Sequence, residues 1–156
     1  MKKTNKKLLF EMMHKVGGMP LKEFNTEINN NGQEQYQNLI NFIGIAENYF
    51  TYLHTTDSEN NAKSICQNGF RFETFSKTVD YITDVVGLVY MLNIRKPYGN
   101  YTIIIQVNST IENYESISEK SYDEDENEVF ILPPQYIKGY YNRTTNVIVP
   151  NSLFKE

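Results

Sequence analysis

The spacing of apolar residues changes once along this chain of 156 residues, near position 49, and the change divides it. Upstream, the period is helical. Leu8, Leu9, Met12, Met13 and Val16 fall on one face of a helix over residues 5–16, which Gly17-Gly18 ends and Pro20 keeps from continuing. An Asn-rich stretch over 25–34 reads as a loop. A second amphipathic helix over about 34–47 follows, with Tyr36, Leu39, Ile40, Phe42 and Ile43 as its apolar residues.

From Tyr49 the chain turns aromatic and β-branched, and the run Tyr49 to Thr55 predicts a strand bearing His54. Asp57 or Ser58 can cap a helix over 58–68, whose apolar face holds Ala62, Ile65 and Cys66 and which Gly69 stops. Phe70 to Phe72 starts a short extended piece. Residues 76–84 read as ambiguous, with a short helix as one option, and Gly87 to Leu92 as a strand or the approach to one. After a turn at Pro97 to Asn100, the near-continuous apolar run 101–107 predicts a central strand buried on both faces. Residues 109–127 are polar and acidic and read as a surface loop or short helix. Strands are expected over 128–132, 137–141 and 146–149, the last two joined by a turn at 142–145. Helices first, then a strand-rich body with one packed helix, make the fold class α+β. The expected division is an N-terminal helical extension over 1–48 and a body over 49–156.

Composition refines this picture in a few places. The net charge of −4 argues against a global footprint for duplex nucleic acid. The charge is uneven: the first 24 residues hold six Lys against two Glu, and residues 112–128 hold eight acids against one Lys. Both runs read as solvated surface. Cys66 is the single cysteine, so no intramolecular disulfide forms, and its place on an apolar helix face reads as a structural thiol. With two His in the chain and no metal-ligand spacing, no metal site is expected. No apolar run approaches a membrane span or a signal segment, and the expectation is a cytoplasmic protein without a membrane partner.

Three segments draw attention by their order. The first is Tyr52-Leu53-His54-Thr55-Thr56, leading through the 58–68 helix to Gly69-Phe70. The second is Gly87-Leu88-Val89-Tyr90, before the buried 101–107 strand. The third is Glu126-Asn127-Glu128-Val129, entering a strand that ends Leu132-Pro133-Pro134. Taken alone, His54 would be read as a core residue and Gly69 as a helix stop. In this order the segments resemble the ADP-ribosyltransferase superfamily, in the branch whose site combines a His, a Tyr and a Glu. That branch includes poly-ADP-ribose polymerases, diphtheria-like toxins, bacterial DNA-modifying toxins and tRNA 2′-phosphotransferases.

The resemblance covers about residues 50–150 and implies an ADP-ribosyltransferase-like mixed β-sheet core. It implies NAD as substrate, with ADP-ribose transferred to a protein or nucleic-acid acceptor. Glu128, His54 and Tyr90 would carry the catalytic roles. His54, Thr55, Thr56, Gly69, Phe70, Tyr81, Tyr90, Tyr98 and Glu126 would line the nucleotide. Tyr90 and Tyr81 are the candidates for stacking on nicotinamide, with Tyr98 behind them, and Glu126 is the alternative acid. Breaking the nicotinamide–ribose bond builds oxocarbenium-like charge on the sugar, which a carboxylate stabilises. Two other readings remain: a nucleotide-binding or structural module without turnover, and an RNA 2′-phosphotransferase-like enzyme. The latter is disfavoured by a chain with only Arg71, Arg95 and Arg143 to meet phosphates.

Overall fold

The computed structural model describes residues 33–155. The 5–16 helix, its His14 and most of the 25–34 loop fall outside the described residues. Five helices and eight strands follow one another: α1 (Gln33–Gln35), α2 (Gln37–Ile43), β1 (Tyr49–Thr56), α3 (Glu59–Asn68), β2 (Phe70–Phe72), α4 (Phe75–Thr78), β3 (Asp80–Ile82), α5 (Val85–Ile94), β4 (Tyr101–Asn108), β5 (Glu119–Tyr122), β6 (Glu128–Leu132), β7 (Ile137–Asn142) and β8 (Val147–Pro150). They build a five-stranded sheet in the order β3-β1-β4-β7-β8 and a three-stranded sheet in the order β2-β6-β5, with every pairing antiparallel. The class is α+β.

Because side chains alternate along a strand, the large sheet carries a core on each face. Leu53 of β1 and Ile104 of β4 join Tyr36, Leu39 and Ile43 and the buried residues of α5 on one face. Ile103, Ile105 and Val107 join Ala62, Ile65, Phe70, Phe72, Phe75 and Leu132 on the other. The predicted central strand is β4, held between β1 and β7 and buried from Thr102 to Val107. Residues 36–43, grouped by sequence with the extension, supply three of the largest side chains in the first core.

Two elements differ from their expected form. Gly87 to Leu92 lies inside a helix, α5, not a strand. A short apolar run is compatible with either element by periodicity, and here the cap decides: Asp84 accepts a hydrogen bond from the Gly87 N–H at 2.8 Å. The ten-residue helix is apolar on every side, which suits its burial. The ambiguous 76–84 stretch divides into α4 and β3, and the acidic 109–127 stretch contains the edge strand β5. The α2 helix ends at residue 43, earlier than expected, because Gly44 adopts φ 58° and ψ 61° and closes it.

Candidate functional site

The first element of the site is β1. Its Tyr52 and His54 project to the face opposite Leu53, where Tyr52 packs edge-on against Phe75 and His54 packs on Phe70, with ring centroids 4.9 Å apart in both pairs. His54 Nδ1 donates to the Thr78 carbonyl at 2.8 Å. A carbonyl can only accept, so Nδ1 carries the proton, and Nε2 is the ring nitrogen left to meet a ligand.

Beside His54 lies a recess of about 180 Å³, lined by His54, Thr55, Lys77, Thr78, Val79, Asp80, Arg95 and Tyr98. The ends of α4, β3 and α5 bring these residues together. Arg95, the residue that closes α5, donates from Nε and Nη2 to the two Asp80 carboxylate oxygens at 2.9 and 2.6 Å. Its guanidinium carbon sits 5.5 Å from the centroid of the Tyr98 ring. The hydrogen bond to Asp80 holds the guanidinium proton more tightly than usual. Among the described residues, no group of three or more His, Cys, Asp or Glu is placed to hold a metal ion.

Of the residues singled out by sequence, His54, Thr55 and Tyr98 meet in this recess. The others lie elsewhere. Tyr90 is the main correction: it is buried in α5 against the opposite face of the large sheet from His54, so it forms no wall with His54. Burial pushes its phenol up. Thr56 is used internally, accepting from the Asn61 side-chain amide at 3.0 Å at the start of α3. Phe70 is a buried support for the His54 ring. Gly69 has φ 105°, where glycine is favoured, and a Cβ there would collide with the Leu132 carbonyl and come within 2.9 Å of Ile131 Cγ2. Its role is to let β2 approach β6.

Tyr81 follows Asp80 on β3, is 53% exposed, and packs against Tyr52 and Phe50. Glu128 opens β6, half-exposed, and pairs with Lys120 across the strand pair β5–β6. It does not line the recess. Glu126 adopts φ 63° within the turn that Asp123 organises through Asn127, so the strand does not reach back to give the two glutamates one face. The thiol of Cys66 is pushed up to about 11 by burial, in keeping with a structural role.

Comparison with protein-family models, curated proteins and solved structures finds no match. The site therefore has to be read from its own chemistry. Lys77, Thr78, Val79 and Asp80 were not singled out by sequence, and Arg95 was named only as one of three arginines that could meet phosphates. They sit at element ends within a stretch of mixed signals, and the 15-residue separation of Asp80 and Arg95 belongs to no motif. Of the three arginines, only Arg95 lines the recess. Arg71 is exposed on β2, and Arg143 is partly buried beyond β7, where burial pulls its pKa down.

Proposed function

We propose that this chain binds NAD with one end in the His54 recess and transfers its ADP-ribose to a protein or nucleic-acid acceptor. The observation that carries the proposal is the recess: a histidine, a polar Thr55, two cationic side chains and an exposed tyrosine ring in one place. Those are groups suited to sugar hydroxyls, phosphate and a planar base. Its volume of about 180 Å³ lies below the ~300 Å³ at which ligand pockets usually begin, so it takes one end of a dinucleotide and not the whole. Glu128 is the carboxylate assigned to the ribose that loses nicotinamide.

The pairing of Glu128 with Lys120, off the recess, favours a second reading in which the nucleotide is bound without turnover. One experiment separates the two. The full chain is incubated with labelled NAD and cell lysate, alongside Glu128→Gln, and nicotinamide release and an NAD-induced thermal shift are measured. Transfer by the wild type, reduced roughly 10²–10³-fold in the variant, supports the enzyme. A thermal shift without release supports binding alone. The absence of release, label and shift together rejects both.

A further inference from the structure

In a chain of net charge −4, the His54 recess presents two cations, Lys77 and Arg95, against one carboxylate, Asp80. Asp80 is the more enclosed partner, its side chain 13% exposed against 37% for Arg95. Of the ~five N–H donors of the guanidinium fork, two are spent on Asp80. Those on Nη1 and the outer hydrogen of Nη2 are left over. The Tyr98 ring, 5.5 Å from the guanidinium carbon, holds the same plane from a second direction. Arg95 is therefore fixed before any ligand arrives, and little side-chain freedom remains to be lost on binding.

We infer that Arg95 is the phosphate-recognising residue of this recess and Asp80 its positioning residue. The moiety the recess takes is then the phosphate-bearing part of a nucleotide, not a nucleoside or free nicotinamide. This rests on the nucleotide reading of the site given above. Lys77 adds a second positive charge, while His54 Nε2 and Thr55 are left to meet sugar hydroxyls.

The test uses thermal shift and titration calorimetry on the full chain with NAD, ADP-ribose, AMP, adenosine and nicotinamide, and inorganic pyrophosphate as competitor. ADP-ribose, NAD and AMP bind, pyrophosphate displaces them, and adenosine and nicotinamide do not register. Arg95→Gln weakens ADP-ribose by about tenfold or more, the loss expected for hydrogen bonds to a charged group. It also flattens the dependence of affinity on salt. Arg95→Lys, which keeps the charge and loses the fork, recovers only part. Asp80→Asn lowers affinity severalfold while retaining the salt dependence, and Asp80→Glu restores it. A merely structural Asp80 would shift melting temperature and leave the affinity of the folded protein alone.

Circular dichroism of each variant confirms folding before binding is read. If NAD binds but folded Arg95→Gln binds ADP-ribose like the wild type, or adenosine binds as well as ADP-ribose, the Arg95 assignment fails and the nucleotide reading stands. If none of the five compounds binds the wild type, both fail.

Discussion

Replacing Gly69 by alanine separates two roles that one glycine could have, lining a nucleotide or letting two strands meet. The backbone at Gly69 has φ 105°, and an added Cβ would press on the Leu132 carbonyl oxygen and lie 2.9 Å from Ile131 Cγ2. Holding a non-glycine residue at such a φ costs about 1–3 kcal/mol. Relieving the overlap by moving β2 from β6 adds a cost of the overpacking kind, about 1–3 kcal/mol. Taken together, roughly 2–6 kcal/mol is lost, which in a chain of this size lowers the melting temperature by at least about 4–8 °C. Gly44 provides the control, because it also has positive φ, 58°, yet an added Cβ meets only the Asn41 carbonyl at 3.9 Å. Gly44→Ala carries the conformational cost alone, about 1–2 kcal/mol. Urea unfolding of both variants gives the comparison, with ligand affinity measured on the folded fraction. Equal losses at the two glycines would refute the close-approach argument. A folded Gly69→Ala that loses nucleotide affinity while keeping wild-type stability would return Gly69 to the binding site.

The cysteine and the tyrosines give two further tests. With its thiol pushed up to about 11 by burial, Cys66 should be alkylated at neutral pH at least ~100-fold more slowly than an unperturbed thiol, its rate climbing with pH until near 11; a rate profile breaking near 8–9 would contradict that. The sign for stability follows: the group's contribution is intact below about 9, the ordinary thiol value, and is lost as pH rises through about 11. Tyr98→Ala removes an exposed ring and should weaken nucleotide binding with little change in melting temperature, whereas Tyr90→Phe, on the far face of the sheet, should leave affinity unchanged. The reverse pattern in calorimetry would put Tyr90 back in the site.

The strands were legible where chemistry and period agreed. The β-branched and aromatic run of β1, the apolar run of β4 and the Pro133-Pro134 stop after β6 each left one reading open, and the Ser58 cap with Gly69 bounded α3 within a residue or so. Apolar content without a period misled at Gly87 to Leu92. The informative residue there was Asp84, a helix cap three residues before Gly87, rather than the glycine itself. Tyr90 entered the site through the resemblance alone, and on α5 it faces the other core. The recess was illegible for a different reason. Lys77 and Asp80 are unremarkable in sequence and nothing sets Arg95 apart from the other two arginines; their meeting depends on β3 pairing with β1, Leu53 opposite Asp80, and on α5 returning Arg95 to that edge.

The distance between His54 and Glu128 constrains any joint role they could have. The His54 ring lies on Phe70, Phe70 pairs with Leu132 of β6, and Glu128 is four residues before Leu132 on the same strand. At about 3.3 Å per residue the carboxylate lies roughly 13 Å along β6 from the point where the imidazole meets the small sheet. Side-chain alternation puts Glu128, Phe130 and Leu132 on one face, and Phe130 stacks on Phe72 at 5.6 Å, so a row of rings connects the two ends. A mononucleotide seated at His54 would leave Glu128 out of reach, whereas an extended dinucleotide has the length to span from one to the other. The two residues can therefore act on one molecule only if it is a dinucleotide that spans this distance over the outer surface, because Phe70 and Phe72 of that row are buried, with the recess holding one end. Glu128→Gln should then leave AMP affinity intact and reduce the release of nicotinamide from NAD. If Glu128→Gln weakens AMP and NAD equally, the carboxylate is in contact with the recess ligand and the span argued from the strand register is wrong.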